Sequence, residues 1–423
     1  MTPRVVILGA GAAGLAAFRH LRDAGCDAVL LEARDRLGGR IWTLHPPAWP
    51  APVELGAEFV HSELPGLALE THPEAGRDYT LAEGELLPAG EFASGADAIF
   101  ERLAAARGPD QSFAAFLDAH CQDLSAHARA GALAFIEGYE AADPARISVA
   151  SLQREFAVAG EGGPHARRPR GGYVQLWAGL DLGECLWLNA VVRRVAWRPG
   201  AVTVTLQRDG TQSCVRARAA IVALPLAVLQ ADVVSFDPPL DPKRAALAGL
   251  VTGAARRVVL RLRERFWESL SDDAGNRLAG LRFLFGGADG AARFPVWWAD
   301  PRAPQMTGWA GGRRAAALAA LPAVRIRGFA VADLAARLRV PAAAVAHSVL
   351  EAHTHDWQSD PFARGAYSYA TVGAADAHSL LAAPLQATLF FASEATEASG
   401  HHATVPGAVA SGHRAADEVL ASL

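Results

Sequence analysis

Lysine is almost absent from this chain of 423 residues. Of the 40 lysine and arginine residues together, one is a lysine, Lys243, and the other 39 are arginines. A GC-rich coding sequence explains such an excess, and it also explains the abundance of glycine and proline. Chemistry that depends on a lysine side chain must therefore use Lys243 or proceed without one.

Cysteine is scarce as well, and long hydrophobic runs are missing. The four cysteines, Cys26, Cys121, Cys185 and Cys214, stand singly, without the CxxC pairs typical of zinc or redox sites. This spacing argues against a disulfide framework and predicts reduced thiols in a cytoplasmic protein. No run approaches the roughly 18 uncharged apolar residues that a membrane helix needs, so no membrane association is expected.

Charge of one sign is not concentrated anywhere in the chain. The net charge is −4, and arginines cluster no more densely than at Arg167, Arg168 and Arg170 in a predicted loop. The sequence therefore indicates no nucleic-acid partner. An apolar share of 51% is typical of a globular protein with a large core. At roughly 150 residues per domain, we expect two or three domains or one interleaved fold.

The N-terminus carries a dinucleotide-binding pattern. A short apolar strand from Val5 runs directly into the turn Gly9-Ala-Gly11-Ala-Ala13-Gly14, and a helical pattern follows. The first glycine permits a tight turn, the second lets the backbone approach a pyrophosphate, and the third packs helix on strand. Glu32 ends the next strand 18 residues after Gly14, where a carboxylate can accept hydrogen bonds from ribose hydroxyls. An unphosphorylated ribose, as in FAD or NAD, is therefore favoured over NADP.

A second glycine turn decides between these cofactors. Glu32-Ala-Arg34 leads into Gly38-Gly39-Arg40, in which arginines are well placed to pair with a diphosphate. The series resembles the flavin-containing amine oxidase superfamily. Further blocks in the family's order extend the resemblance over the whole chain: Val53 to His61, Gly171 to Tyr173, Leu188 to Val195, Ala223 to Leu226, Arg257 to Leu260, Trp357 to Tyr369, Phe390 to Thr396 and Ala403 to Val405.

The resemblance implies an α/β fold, in which an FAD-binding, Rossmann-like domain with a parallel sheet is interleaved with an α+β substrate domain. Residues 1–63, 165–240 and 355–423 are expected to form the FAD-binding domain, and residues 64–164 and 241–354 the substrate-binding domain. Apolar residues three and four apart predict a mostly helical insertion from about Leu64 to Phe156. Near the C-terminus we expect a strand from Thr388 to Ala392 and a helix from Val405 to Leu423.

The family's FAD contacts can be transferred residue by residue. They put Glu32 at the adenosine ribose, and Arg34 and Arg40 on or near the diphosphate. The remaining expected contacts are the backbone of Val192 at adenine, Gly56, Ala57, Glu58 and Phe59 along the flavin ring, Glu394 at the ribityl-diphosphate portion, and the Thr404-Val405 backbone at the N1/O2 edge of the ring. Monoamine oxidases link FAD to a cysteine just before the active-site tyrosine. Ala366 occupies that place here, so the resemblance implies non-covalent FAD.

Two residues are expected on the substrate side. Tyr367 matches a tyrosine that stands over the flavin as an aromatic wall in polyamine oxidases and related histone demethylases, where it would attract an amine cation. His61 matches a histidine of the animal polyamine oxidases and could bind the substrate amine or remove its proton. A purely structural role is the alternative for each, and it has more weight for His61 than for Tyr367. Of His401 and His402, at most one is expected to face the pocket. His353 and His355 lie in a family block without a metal role, and no metal is predicted.

One position departs from the family pattern. Amine oxidases of this type usually carry a lysine that holds a water against flavin N5 and is implicated in the reaction with oxygen. Arg257 stands at that position and is expected in the catalytic site. Arginine stays charged and can position a water, but it cannot release a proton. The substitution therefore favours amine oxidation over fast use of oxygen.

The resemblance thus implies an FAD-dependent amine oxidase with a small-molecule amine as substrate. Hydride transfer from the carbon next to nitrogen would give an imine, and hydrolysis of the imine would give an aldehyde. Reoxidation of the reduced FAD by O2 would give hydrogen peroxide. Polyamines or other secondary amines are favoured through His61 and Tyr367. Two alternatives stay open at this point: a dehydrogenase or desaturase that uses another acceptor, and a binding protein with structural FAD.

Overall fold

The computed structural model describes residues 3–47, 49–60, 69–73, 75–82, 84–89, 95–159, 167–286 and 292–423. Over these ranges the chain forms a mixed α/β fold organised around two large sheets. The bounds of its longer helices are Ala12–Asp23, Asp97–Ala105, Phe113–His120, Ala126–Gly138, Val149–Ala159, Ala323–Leu338, Ala342–Ser348 and Val405–Ser422.

A five-stranded parallel sheet forms the first half of the fold. Its strands, in spatial order, are Leu389–Phe391, Ala219–Val222, Val5–Leu8, Ala28–Leu31 and Leu186–Trp187. Every residue from Val5 to Leu8 is fully buried, as expected for a parallel strand that is covered on both faces. The sheet therefore joins strands from the beginning, the middle and the end of the chain.

Different layers cover the two faces of this sheet. On one face, helices Ala12–Asp23 and Val405–Ser422 pack so closely that a Cβ on Gly412 would lie 2.2 Å from the carbonyl oxygen of Ala13. The other face packs through its apolar side chains on a four-stranded sheet. The strands of that sheet, in spatial order, are Thr211–Ala217, Ala201–Arg208, Val191–Arg198 and Ser235–Asp237.

A mixed seven-stranded sheet forms the second half. Its spatial order is Val349–Thr354, Ala255–Leu262, Gln305–Gly311, Val296–Ala299, Leu281–Gly286, Arg77–Ala82 and Glu85–Ala89. Helices Ala323–Leu338 and Ala342–Ser348 pack on it around the largest apolar core, in which Trp267, Trp297 and Phe294 are almost completely buried. The pair Leu281–Gly286 and Arg77–Ala82 runs parallel, and the other neighbours run antiparallel.

The prediction of a mostly helical insertion from Leu64 to Phe156 is only half correct. Helices Asp97–Ala105, Phe113–His120, Ala126–Gly138 and Val149–Ala159 form a separate apolar cluster. The earlier part instead contributes strands Arg77–Ala82 and Glu85–Ala89 to the seven-stranded sheet. The first of these pairs with a strand about 200 residues further along the chain, a distant partner that local periodicity does not reveal.

Shorter elements connect these layers. They comprise strands Thr43–Leu44, Val53–Glu54, Thr71–Pro73, Arg167–Pro169, Leu250–Thr252 and Ser368–Ala370, helices Leu226–Gln230, Arg244–Gly249, Gly312–Ala316 and Ala377–Ala382, and 3₁₀ turns Tyr173–Trp177, Gly183–Cys185, Asp241–Lys243, Phe266–Ser269 and Glu394–Thr396. In the described part of the chain, no helix has the length and apolar character to span a bilayer. Among the same residues, no three or more His, Cys, Asp or Glu side chains form a group that could hold a metal ion. How the chain divides into domains stays a prediction.

Candidate active site

A cavity of about 930 Å³ opens at the carboxyl edge of the parallel sheet and continues to the seven-stranded sheet. Gly9, Glu32, Ala223 and Ser393 each follow the end of a parallel strand and line it. Loops at this edge are the usual ligand site of open α/β sheets, because the carboxyl ends of neighbouring strands converge there. The topology therefore places a binding site where the glycine motif also lies.

The first glycine turn is closed to larger residues. Gly9 has φ +104°, and a Cβ there would lie 2.7 Å from the carbonyl oxygen of Ala223. A Cβ on Gly14 would lie 1.9 Å from the carbonyl oxygen of Gly9. Gly11 precedes the first residue of helix Ala12–Asp23, so the positive N-terminal end of this helix, with Ala13, faces the cavity.

The second glycine turn lies against the first. The amide of Gly38 donates to the carbonyl oxygen of Ala10 over 2.8 Å, and Gly11 and Gly38 form an isolated parallel bridge. A Cβ on Gly39 would lie 3.3 Å from the Cα atom of Gly11. Two segments that are separate in sequence thus form one surface of exposed backbone, and Gly9, Gly11 and Gly39 all line the cavity.

Glu32 is buried at the cavity wall. Its two oxygens accept hydrogen bonds from the backbone amides of Ala10 and Arg34, over 2.8 and 2.9 Å. Burial raises the pKa of this carboxyl, while the two amides and Arg34 act in the opposite direction. Each carboxylate oxygen can accept more than one hydrogen bond, so Glu32 keeps acceptor capacity for a ligand hydroxyl.

The two arginines of this region are paired with carboxylates. Arg34 contacts Asp360 over 2.6 Å, and Arg40 contacts Glu394 over 2.7 Å. Glu394 also accepts a hydrogen bond of 2.5 Å from the Ser368 hydroxyl. Although burial acts to raise it, the charge of Arg40 and the Ser368 hydrogen bond hold the pKa of Glu394 below its ordinary value. Both arginines line the cavity, but their charges are partly neutralised.

The last helix begins at the cavity wall. Thr404 caps it, because its hydroxyl accepts from the amide of Gly407 over 3.0 Å and donates to the carbonyl oxygen of His401 over 2.6 Å. Thr404 and Val405 line the cavity. The first turn of a helix presents unpaired amides and a positive dipole end, so this wall favours negative charge.

The segment Gly56 to Phe59 forms the wall between the two halves. A Cβ on Gly56 would lie 1.7 Å from the carbonyl oxygen of Arg40, which fixes this segment against the second glycine turn. The ring of Phe59 packs 5.4 Å from that of Trp298. Ala57 and Glu58 also line the cavity, and Val192 lines it from the four-stranded sheet.

Arg257 is buried in the wall of the seven-stranded sheet. Its guanidinium lies 3.0 Å from the Glu58 carboxylate and donates to the carbonyl oxygen of Glu54 over 2.8 Å. It also stacks near the indole rings of Trp298 and Trp309, with distances of 5.3 and 5.6 Å to the ring centroids. Burial lowers the pKa of Arg257, against the raising effect of Glu58.

A second buried arginine shares the same carboxylate. Arg168 contacts Glu58 over 2.6 Å, and the indole of Trp298 donates to the same oxygen over 3.1 Å. The prediction of a loop at Arg168 is wrong, because the residue lies in strand Arg167–Pro169, where it is 2% exposed. Arg168 and Arg257 thus flank one carboxylate.

Tyr367 also lines the cavity. Its hydroxyl donates to the backbone carbonyl oxygen of Tyr139 over 2.6 Å, which fixes the ring against helix Ala126–Gly138. Burial raises the pKa of Tyr367, so its hydroxyl stays protonated. His61 lies outside the described residues, and its predicted role stays a prediction.

Sequence reasoning missed an acidic group in the same cavity. Glu140, just after helix Ala126–Gly138, and Glu155, in helix Val149–Ala159, both line it and interact with each other. His402, also in the lining, approaches Glu155 to 3.4 Å. The sequence predicts that at most one of His401 and His402 faces the pocket, and of these two His402 lines the cavity. No motif marks the carboxyl groups, because three distant segments bring this group together.

The described residues fit a dinucleotide cofactor. Gly9 and Gly14 leave no room for a side chain, Glu32 has acceptors for a ribose, and two helix N-termini face the same cavity. The cavity then extends past Arg257 and Tyr367 into a region with buried carboxyl groups. Fold and site together define a dinucleotide-dependent oxidoreductase with a substrate chamber beside the cofactor site.

Comparison with known proteins makes the assignment specific. The family model for flavin containing amine oxidoreductases matches residues 12–75 and 81–420. The chain belongs to this family of flavin-dependent enzymes.

Its relatives are amine-oxidising enzymes and histone demethylases. The chain is 28% identical to polyamine oxidase 4 of Oryza sativa subsp. japonica, over 98% of this chain and 88% of that protein. It is 27% identical to lysine-specific histone demethylase 1 homolog 3 of Arabidopsis thaliana, over 99% of this chain but only 30% of that protein. Relatives with different biological roles are thus about equally similar to this chain, so their names do not fix its substrate.

Two solved structures share the fold. A wild-type putrescine oxidase bound to putrescine superposes with a TM-score of 0.80 and 24% identity, covering 100% of this chain and 99% of that one. Cyclohexylamine oxidase from Brevibacterium oxydans IH-35A gives a TM-score of 0.80 and 22% identity, with 99% of each chain covered. The expected α/β fold with a parallel sheet is thereby confirmed.

Proposed function

We propose that this protein is an FAD-dependent amine oxidase that binds FAD non-covalently and acts on polyamines or other secondary amines. The observation that carries the proposal is a continuous cavity that runs from the glycine turns and Glu32 to a buried carboxyl pair beside Tyr367. The first end suits a dinucleotide, and the second suits a cationic substrate. The polyamine oxidase relatives support the choice of amine.

The chain's own groups would hold FAD as follows. The glycine turns bring backbone amides to the diphosphate, and Glu32 accepts from the adenosine ribose. Arg34, Arg40 and Glu394 lie along the diphosphate and ribityl portion, and Val192 lies at adenine. Gly56 to Phe59 cover the ring. The N-terminus at Thr404 and Val405 stabilises negative charge at the N1/O2 edge. Ala366 offers no thiol for a covalent link.

FAD, when bound, supplies a hydride acceptor for the carbon next to the substrate nitrogen. The imine that results takes up water and separates into an aldehyde and an amine. The chain's contribution is to bind and orient the substrate. The ring of Tyr367 attracts the cation, while the low polarity of its surroundings favours the neutral amine whose lone pair assists loss of hydride. Its hydrogen bond to Tyr139 holds the ring in that position.

The electron acceptor is proposed to be O2, which yields hydrogen peroxide. Arg257 makes a second candidate function worth testing, namely a dehydrogenase with a different acceptor. Its charge is engaged by Glu58, and it cannot release a proton. Its Nε–H meets no acceptor in the part of the chain that the structure describes, so it can hold a water. Positioned water without a proton donor favours amine oxidation more than fast oxygen reduction.

Anaerobic reduction of the flavin tests both candidates. The holoenzyme is mixed with spermidine, putrescine, cyclohexylamine or benzylamine, the flavin absorbance is followed, and air is then admitted. Bleaching by an amine followed by rapid recovery and peroxide formation is the expected result. Bleaching with slow recovery supports the dehydrogenase. Bleaching by none of the amines, with FAD bound, contradicts an amine substrate.

A further inference from the structure

The function proposed so far gives the Glu140–Glu155 pair no chemical step beyond attracting a cation. Glu140 follows helix Ala126–Gly138, and Glu155 belongs to helix Val149–Ala159. The Glu140 side chain is 4% exposed, and its Oε1 atom accepts no hydrogen bond from an amide, hydroxyl or amine of the described residues. A buried oxygen without a donor is costly, so an empty cavity favours a proton on the pair.

We propose that the Glu140–Glu155 pair is the general base that removes the ammonium proton of the substrate. This inference rests on the proposed amine oxidation and names the groups that prepare the amine for it. A cationic amine enters with its lone pair occupied by the proton. Transfer of that proton from nitrogen to a carboxylate oxygen breaks the N–H bond, forms an O–H bond and leaves the electron pair on nitrogen. No oxidant or further reactant takes part.

Mutual contact makes the pair a base of suitable strength. Two adjacent carboxyl groups cannot both ionise in a buried site, so the pair retains one proton and carries one negative charge. Burial raises the pKa of both groups above the ordinary glutamate value. A single charge binds the ammonium, and a raised proton affinity allows the pair to take its proton at neutral pH.

The neighbouring groups keep the pair's charge from being compensated. His402 lies 3.4 Å from Glu155, but burial lowers its pKa to about 3, so it is neutral and does not neutralise the carboxylate. His378 stacks on His402 at 4.3 Å, and burial lowers its pKa too. Tyr367 faces both carboxyl groups as a protonated phenol. A substrate ammonium is therefore the cation that this chamber is built to receive.

Position supports the same assignment. Tyr139, whose carbonyl oxygen receives the Tyr367 hydroxyl, immediately precedes Glu140 in the chain. His402 lies two residues before Thr404, the cap of the helix proposed to face the flavin edge. Through Tyr139 and His402, the pair therefore adjoins both the proposed aromatic wall and the helix of the proposed cofactor site.

Variants Glu140→Gln and Glu155→Gln test the proposal in the holoenzyme. The rate of anaerobic flavin reduction by the best amine of the panel is measured from pH 6 to 10. We expect each variant to lose about 10²-fold or more at pH 7, a typical contribution of a positioned base, and to recover as the pH approaches the ammonium pKa of the amine. A profile with the wild-type shape in both variants would overturn the proposal.

Binding of an amine that cannot be oxidised gives a second readout. tert-Butylamine has no hydrogen on the carbon next to nitrogen, and its binding is followed by calorimetry at several pH values. In the wild type, affinity rises with pH as the doubly protonated pair loses its first proton, and at low pH proton release accompanies binding. Both effects are expected to vanish in Glu140→Gln, whereas affinity that is independent of pH in the wild type contradicts the proposal.

Glu137→Gln is the matched control. Glu137 is a buried carboxylate in helix Ala126–Gly138, three residues before Glu140, but it contacts Arg313 and does not line the cavity. Its pH profile should match the wild type even if its melting temperature falls. If amines reduce the flavin in every variant with unchanged pH profiles, the base assignment fails and the amine oxidase function stands. If no amine reduces the wild-type flavin, the proposed function itself fails.

Discussion

Arg257 and Glu58 form a buried ion pair, with 3.0 Å between guanidinium nitrogen and carboxylate oxygen, in the wall of the cavity. Arg168 binds the other oxygen of the same carboxylate. Two buried arginines thus share one carboxylate, and Glu54 and Asp300 also act on their charges. Burying these charges costs desolvation free energy, so stability alone does not explain the group.

Replacement of Arg257 by lysine is expected to accelerate flavin reoxidation. A lysine ammonium can hold a water and also release a proton, whereas arginine can only hold the water. The second-order rate with O2, measured by stopped flow after anaerobic reduction, should rise about tenfold, a modest part of the 10²–10⁴-fold that positioned proton transfer contributes. An unchanged rate would count against the water-holding argument.

Arg256→Lys is the control for this substitution. Arg256 is equally buried in the same strand, but it contacts Asp356 at 3.2 Å and does not line the cavity. Neighbouring residues of a strand point to opposite faces. Its reoxidation rate should therefore stay at the wild-type value, which separates an effect at the cavity from a general effect of losing a buried guanidinium.

Glu32→Ala should weaken FAD binding. The substitution removes the ribose acceptor and leaves the amides of Ala10 and Arg34 without their carboxylate. Hydrogen bonds to a charged group contribute about 1.5–3 kcal/mol, so the dissociation constant should rise about tenfold to a hundredfold. Flavin fluorescence quenching on titration of the apoprotein measures it. A constant within twofold of the wild type would remove Glu32 from the cofactor site.

The amino-acid sequence predicted the cofactor end of the cavity far better than the substrate end. Gly9, Gly11, Gly14 and Glu32 belong to one strand–helix–strand unit, so their spatial relation follows from local spacing. Glu140, Glu155 and His402 come from three separate segments, and nothing in the spacing of their residues predicts that they meet. The shared carboxylate of Arg168 and Arg257 is equally non-local, since Arg168 lies 110 residues from Glu58.

The prediction of secondary structure was wrong at one segment for the same physical reason. The segment Arg77–Ala82 becomes a strand because it pairs with Leu281–Gly286, and the ion pair between Asp78 and Arg282 lies across that junction. A partner about 200 residues away overrides the local pattern. The C-terminal strand and helix were correct because Leu389–Phe391 is a short fully buried run, and Val405–Ser422 has its own threonine cap.

FAD should be released by acid precipitation of the protein. Ala366 has no nucleophile, and its buried carbonyl oxygen is already bound by Arg40. Yellow colour should therefore remain in the supernatant after treatment with trichloroacetic acid, with an absorbance equal to that of the flavin originally bound. Colour in the washed pellet would show a covalent link through another residue and contradict the prediction.

The lone lysine makes a pH-dependent contribution to stability. Lys243 is 2% exposed and donates to the carbonyl oxygens of Leu380 and Ala383, near the C-terminal end of helix Ala377–Ala382. Burial, with the charge of Arg414, lowers its pKa from about 10.5 to about 8. Between pH 8 and 10.5 the unfolded chain therefore binds more protons, and the free energy of unfolding should rise with pH through this residue.

Lys243→Met isolates that contribution. At pH 7 the variant leaves two carbonyl groups without their donor and should lose about 1–3 kcal/mol of unfolding free energy, as unpaired buried polar groups do. As the pH rises from 8 to 10, the wild type should gain stability relative to the variant, because the cost of burying the charge disappears when the amine is neutral. Urea unfolding at pH 7, 8.5 and 10 measures the difference. A difference that shrinks with pH would mean that the buried ammonium, held by its two carbonyl groups, has a raised pKa instead.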